Sequence, residues 1–269
     1  MIKSWTKKWF LILFLMASCS SYLAATTGEK YFKMATQAFK RGNYHKAVAF
    51  YKRSCNLRVG VGCTSLGSMY EDGDSVQKDL PKAIYYYRRG CHLKVGVSCG
   101  SLGFMYFNGI GVKQNYAKAL SLSQYACSLN YGISCNFAGY MYRNAKGVQK
   151  DLKKALTNFK RGCHLKDGAS CVSLGYMYEV GMNVRQNEEQ ALNLYKKGCS
   201  LKEVIGCHNV AVMYYTGKGA PKDLDKATLY YKKGCALGFS GSCKILEVVG
   251  KKSDNLQDDA QNDTQDDTQ

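Results

Sequence analysis

The sequence predicts an all-α fold, an α/α solenoid in which helical hairpins stack as repeats. Three periodic features predict it. Twelve of the 13 cysteines fall in pairs of the form C-x7-C, each pair 36 residues after the last: Cys55/Cys63, Cys91/Cys99, Cys127/Cys135, Cys163/Cys171, Cys199/Cys207 and Cys235/Cys243. The dipeptide Met-Tyr keeps the same period at Met69-Tyr70, Met105-Tyr106, Met141-Tyr142, Met177-Tyr178 and Met213-Tyr214, preceded by a small residue at Gly67, Gly103, Gly139, Gly175 and Ala211. An alanine recurs at Ala47, Ala83, Ala119, Ala155, Ala191 and Ala227, with an aromatic four residues on at Tyr51, Tyr87, Phe159, Tyr195 and Tyr231; Ser123 breaks that series. A period of roughly 20–50 residues held without slippage marks a solenoid.

Spacing sets the elements within each repeat. Cys63, Leu66, Gly67 and Tyr70 stand at i, i+3, i+4 and i+7, one face of a first helix. Ala83, Tyr87 and Gly90 or Cys91 continue the pattern on a second helix, after a glycine-containing loop such as Gly109-Ile110-Gly111. Gly60, Gly96, Gly132 and Gly168 are expected to end the second helix in the left-handed conformation that glycine adopts cheaply. Residues 28–57 form an N-terminal cap hairpin, one helix over Glu29–Arg41 and one over Asn43–Leu57. Its first helix has no cysteine, as suits a hairpin with nothing before it. The solenoid is expected over 26–250, its repeats ending near residue 246. Val204 departs from the glycine series, and the loop Asn183–Asn187 lacks its glycine.

The ends differ in kind. Lys3, Lys7 and Lys8 precede an apolar run from Trp9 to Ala17, too short to span a bilayer, so residues 1–25 read as a secretory signal peptide. Two processing sites stay open: a cut after Ala25, or a lipoprotein box at Met16-Ala17-Ser18-Cys19 with Cys19 lipidated. No other stretch is apolar enough to span a membrane. Residues 251–269 carry six aspartates and almost no apolar side chain, which predicts a solvated, disordered acidic tail. The whole chain carries a net charge of +18; setting aside the three lysines of the first 25 residues and the six aspartates of the tail leaves the body more positive still, so the body and the tail are opposite in sign.

Leu66-Gly67-Ser68-Met69-Tyr70, the loop Gly147-Val148-Gln149-Lys150-Asp151 and Lys82-Ala83-Ile84-Tyr85-Tyr86-Tyr87 resemble the Sel1-like repeat, a relative of the tetratricopeptide repeat. With C-x7-C in each repeat and an export signal, the chain is similar to the secreted Helicobacter cysteine-rich proteins over about residues 28–246. The resemblance implies a disulfide-stapled, right-handed superhelix. It also implies the activity under which that family is described, penicillin binding or β-lactam hydrolysis.

The twelve repeat cysteines are assigned to structural disulfides. The first of each pair ends one hairpin and the second opens the next, close enough for bridging across a turn. Each bridge closes a small loop, worth about 2–3 kcal/mol. No C-x-x-C pair supports a zinc or thioredoxin-type site. The four histidines, His45, His92, His164 and His208, show no ligand spacing, so no metal and no cofactor are expected.

Catalytic residues are not identified. A serine β-lactamase needs S-x-x-K, S-D-N and K-T-G. Beyond residue 25 the first occurs only as Ser75-Val76-Gln77-Lys78, at a loop position held by glycine in other repeats, and the repeats hold neither S-D-N nor K-T-G. By tetratricopeptide analogy the first helices line a concave groove, with ligand positions three before, one after and four after the Gly67 site. These positions nominate Phe104, Phe107, Asn136, Tyr140, Arg143, Tyr176, His208 and Tyr215 as groove residues. Rings, amide and guanidinium together suit an extended peptide or glycan-peptide. The lysines Lys82, Lys118, Lys154 and Lys226 recur once per repeat with no nucleic-acid motif, so no nucleic-acid partner is expected. The reading is a secreted or periplasmic monomeric scaffold for peptide or protein ligands. Its alternatives are a β-lactam hydrolase taking β-lactam or peptidoglycan-derived ligands, and an effector meeting host proteins.

Overall fold

The structure is a computed structural model describing residues 26–73 and 76–248. Residues 1–25, expected above to be an export signal and including Cys19, lie outside the described residues, as do Ser75 and the segment 251–269. Every regular element among the described residues is a helix. In order these are α1 (26–40), α2 (Tyr44–Asn56), α3 (Gly60–Asp72), α4 (Leu80–His92), α5 (Gly96–Asn108), α6 (Tyr116–Ser128), α7 (Gly132–Arg143), α8 (Leu152–His164), α9 (Gly168–Glu179), α10 (Glu188–Ser200), α11 (Val204–Thr216), α12 (Leu224–Ala236) and α13 (240–248). The chain is an all-helical solenoid divided into two units. One ends at Tyr131 and holds the hairpins α1–α2, α3–α4 and α5–α6. The other begins at Gly132 and holds α7–α8, α9–α10, α11–α12 and then α13.

Each even-numbered helix begins on a side-chain cap. The carboxyl or amide oxygen of Asn43, Asp79, Asn115, Asp151, Asn187 and Asp223 accepts the backbone N–H three residues on, at 2.8–3.2 Å. Each cap is worth about 1 kcal/mol. These caps follow the 36-residue period too. The loops before Asn115, Asp151 and Asp223 carry a left-handed residue at Gly111, Gly147 and Gly219, and the loop before Asn187, where the sequence lacks glycine, carries one at Asn183 with φ 57°. Asparagine tolerates that conformation better than most side chains, which accounts for the departure.

Within a hairpin the small residue and the aromatic are one contact. A Cβ on Gly67 would stand 2.6 Å from the Tyr87 ring, on Gly139 2.6 Å from Phe159 and on Gly175 2.8 Å from Tyr195. The recurring alanines are buried beside these rings. Burying each ring contributes about 1.5–3 kcal/mol.

Between hairpins the glycine expectation is corrected. Gly60, Gly96, Gly132 and Gly168 do not end the even helices; they open the odd ones. The left-handed residues of these turns are Arg58, Lys94, Asn130, Lys166 and Lys202. What the glycines provide is room. A Cβ on Gly60 would stand 2.5 Å from Val95 Cγ2, and one on Gly168 2.9 Å from Glu203 Cβ, so the next turn could not seat against them.

Disulfides fasten these joints. Cys55–Cys63, Cys91–Cys99, Cys163–Cys171, Cys199–Cys207 and Cys235–Cys243 hold Cα atoms 4.5–4.8 Å apart, and Cys127 and Cys135 are likewise disulfide-bonded. Beside the staples, Gly90, Gly162 and Gly234 face Ser98, Ser170 and Ser242. At the first joint the roles are exchanged, Ser54 facing Gly62. Ser98, Ser170 and Ser242 use their hydroxyls on Thr64, Asp167 and His208. The Ser54 hydroxyl is buried with no partner among the described residues. Ser54→Ala is therefore expected to raise stability by about 1 kcal/mol, since an unsatisfied buried hydroxyl is a net cost. A melting temperature lower than wild type would contradict this.

Candidate functional site

The periodic lysines are engaged within their own repeats. Lys82, Lys118, Lys154 and Lys226 lie over Tyr70, Tyr106, Tyr142 and Tyr214, with ammonium-to-ring distances of 5.3, 4.4, 5.3 and 5.4 Å. Three of them also pair with the helix-capping aspartates Asp79, Asp151 and Asp223. The Lys82 ammonium, through its side-chain bond, holds the Asp79 carboxyl below the ordinary range. These four lysines thus tie the start of an even helix to the odd helix before it.

The odd helices present a second, non-repeating set of side chains. Four residues after the small residue stand Glu71, Phe107, Arg143, Glu179 and Tyr215, of which Glu71, Arg143 and Glu179 meet the aromatic series of the even helices. The pairing is chemical. Tyr87 Oη donates to Glu71 and Tyr195 Oη donates to Glu179, both at 2.6 Å. Burial first, then the carboxylate, pushes both phenols up. Where the ring is Phe159 there is no hydroxyl, and the residue above is Arg143, its guanidinium 5.6 Å from that ring. Ser101 and Asn209 of the following repeat act on the same phenols in the opposite sense, lowering them in part.

In the unit that begins at Gly132, this face contains a cleft of about 490 Å3 lined by Arg143, Asn144, Lys150, Val172, Ser173, Tyr176, Met182, Ile205 and Asn209. Arg143 comes from the end of α7. Val172, Ser173 and Tyr176 come from α9, and Ile205 and Asn209 from α11. Tyr176 is exposed and its ring lies 5.9 Å from the Arg143 guanidinium. Among the nominated residues, then, Arg143 and Tyr176 share one cleft. Asn136 stands behind it, its Oδ1 accepting from Ser173 Oγ at 3.1 Å. Tyr140 is exposed on α7 outside the lining.

The other nominated residues lie elsewhere. Tyr215 lines an apolar cavity of about 550 Å3 with Leu224 and Tyr231 of α12 and Ile245, Leu246 and Val248 of α13. His208 is half-buried, its Nδ1 3.1 Å from Ser242 Oγ and its ring 4.8 Å from Phe239. In the unit ending at Tyr131, Phe104 is exposed, and Phe107 packs edge-on to Tyr116 at 5.1 Å. That unit has its own cleft of about 340 Å3, lined by Phe39, Thr64, Ser65, Ser68, Val97 and Ser101 among others. The sequence reading passed over the position two before the small residue, which supplies Ser101, Ser173 and Asn209. Its signal was available: Ser65, Ser101, Phe137, Ser173 and Asn209 are mostly polar inside an otherwise apolar helix stretch.

Burial lowers the His208 pKa. A depressed histidine pKa adds stability that is complete above the ordinary value of about 6.5 and lost as pH falls through the folded value. Acidification from pH 8 to pH 5 is expected to loosen α13 before the rest of its unit, read by hydrogen exchange. His208→Asn should flatten that dependence; an unchanged slope would contradict it.

Among the described residues no helix is long and apolar enough to cross a membrane, and no His, Cys, Asp and Glu side chains converge in a group able to hold a metal. The fold and its staples define a disulfide-stapled α/α repeat scaffold of the class that mediates protein interactions. The Sel1 repeat model matches residues 30–58, 61–95, 97–131, 132–167, 168–202 and 204–239, and the chain belongs to the Sel1 repeat family. It is 90% identical over 82 residues to HcpD of Helicobacter pylori (strain ATCC 700392 / 26695), a protein named as a candidate β-lactamase. That match covers 30% of this chain and 27% of HcpD, so it spans about a quarter of that relative's length. The fold is similar to a Sel1 repeat protein from Oxalobacter formigenes, with TM-score 0.72 and 22% identity over 80% of this chain and 86% of that one. It is also similar to c5321, a protective antigen of uropathogenic Escherichia coli, with TM-score 0.71 and 22% identity over 90% and 52% of the two chains.

Proposed function

We propose that the chain is a secreted or periplasmic scaffold whose odd-helix face binds an extended peptide segment of a partner protein. The observation that carries the reading is the cleft of α7, α9 and α11, where an exposed ring, a guanidinium and fixed amides stand together. Within it Asn144 donates to the Tyr140 carbonyl, and Ser173 donates to Asn136 behind the lining. Peptide backbones are recognised by such oriented amides beside apolar walls, here Val172, Met182 and Ile205. The bonded cysteines support an oxidising compartment.

The test is calorimetric titration with a pool of N-acetylated, C-amidated heptapeptides. Tyr176→Ala combined with Asn209→Ala is expected to weaken binding by about tenfold or more, with unchanged melting. Binding equal to wild type would count against the cleft.

The names of the relatives raise β-lactam hydrolysis as the competing activity. Of the motif set, S-x-x-K rests on Ser75, and a tripeptide S-D-N stands beyond the repeats at Ser253-Asp254-Asn255; both serines lie outside the described residues. K-T-G does not occur. Purified protein is expected to leave nitrocefin unturned. Turnover above about one per second that Ser75→Ala abolishes would overturn the scaffold reading.

A further inference from the structure

Arg143 is an unusual cation in this chain. Its guanidinium lies near two rings, Phe159 at 5.6 Å and Tyr176 at 5.9 Å, and forms no ion pair among the described residues. The lysines that recur with the repeat are tied to their own tyrosines and capping aspartates, whereas Arg143 sits at a position that carries Glu71 and Glu179 in neighbouring repeats. There each carboxylate is bonded by the tyrosine beneath it. Replacing that tyrosine with Phe159 removes the donor and leaves a flat aromatic support. Such a support holds a planar guanidinium and leaves its N–H groups to point outward. Lys150 lines the same cleft, and no acidic side chain does. The site is therefore positive, and its arginine is pre-oriented by two rings without being neutralised.

We propose that this cleft selects peptides by an acidic side chain, Arg143 taking the carboxylate as a planar two-bond pair and Lys150 adding a second charge. The proposal rests on the peptide-binding reading above and deepens it. Charge complementarity names the acidic group, because a guanidinium offers parallel N–H donors at the spacing of carboxylate oxygens. The neighbouring groups name the rest of the ligand. Asn209 and Ser173 provide hydrogen bonding for a backbone, and Val172, Met182 and Ile205 provide apolar surface for the flanking side chains. A free oxyanion would use neither.

The experiment uses the full oxidised chain and two peptide pools, N-acetylated and C-amidated, identical except for Glu or Gln at the central position. At about 0.15 M salt the Glu pool is expected to bind about tenfold tighter than the Gln pool. Arg143→Gln should erase that preference, and Arg143→Lys, which keeps the charge and loses the fork, should recover only part of it. Lys150→Gln should reduce it partway. Equal affinity of the two pools for wild type would overturn the proposal, as would a preference that survives Arg143→Gln. Displacement of the Glu pool by inorganic phosphate at equal concentration would also overturn it, showing a simple oxyanion site. If both pools bind equally and Tyr176→Ala with Asn209→Ala removes the binding, acidic selection fails while the peptide reading stands. If neither pool binds, both fail.

Discussion

Full reduction of the chain is expected to unfold it at 37 °C. All twelve repeat cysteines are disulfide-bonded. At about 2–3 kcal/mol for each short closed loop, the staples together match or exceed the roughly 5–15 kcal/mol by which a domain is stable. The dependence is sharper here than in a globular core, because a repeat rests only on its neighbours and has no distant contacts to fall back on. A single joint shows the same effect on a smaller scale. Replacing Cys163 and Cys171 by alanine should cost about 2–3 kcal/mol and split the melting of the unit that begins at Gly132 into two steps, read by circular dichroism with calorimetry. Removing only Cys163 would leave a free thiol, so the double substitution is the clean comparison. A reduced chain that keeps its helical signal and melts within a few degrees of the oxidised one would contradict this account.

Phe159→Ala is expected to be the most damaging single substitution outside the cysteines. The ring is fully buried and fills the space left by Gly139, whose missing Cβ would otherwise stand 2.6 Å from it. No neighbour can collapse into the void, since the facing residue is a glycine on a rigid helix. Phenylalanine-to-alanine changes at such sites cost about 3–5 kcal/mol. The same ring supports Arg143, so the variant should also lose the preference for acidic peptides. Phe159→Tyr separates the two effects. It restores the packing and adds a hydroxyl at the point where Tyr87 and Tyr195 meet carboxylates. Stability near wild type is expected for Phe159→Tyr, and a loss as large as that of Phe159→Ala would contradict the packing argument.

The fold was legible because each periodic residue answers a steric demand that recurs unchanged. Cysteines mark the joints, alanines mark the hairpin contacts, and the small residue before Met-Tyr marks where a ring must lie flat. The glycines at 60, 96, 132 and 168 were legible as periodic but not in role. A glycine that gives conformational freedom and one that makes room look alike in sequence, and only the approach of the next turn separates them. The site was harder to read for the opposite reason. Its residues vary between repeats, so the period supplies an address without an identity. Arg143 and Tyr176, nominated by their address, line one cleft. Asn136 and His208 had equivalent addresses, but Asn136 accepts from Ser173 and His208 bonds Ser242, each on the following odd helix. Asn209 and Ser173 escaped notice because their position was not among those borrowed from the tetratricopeptide analogy.

The central claim is that recognition takes place on the odd-helix face of α7, α9 and α11. Amide chemical-shift mapping of the oxidised, isotope-labelled chain with the central-Glu peptide pool tests it most directly. The account predicts shifts concentrated at Arg143, Tyr176, Ser173 and Asn209, with the lysine-capped loops around Lys82 and Lys226 unmoved. Shifts confined to those loops or to the even helices, with the cleft residues silent, would contradict it.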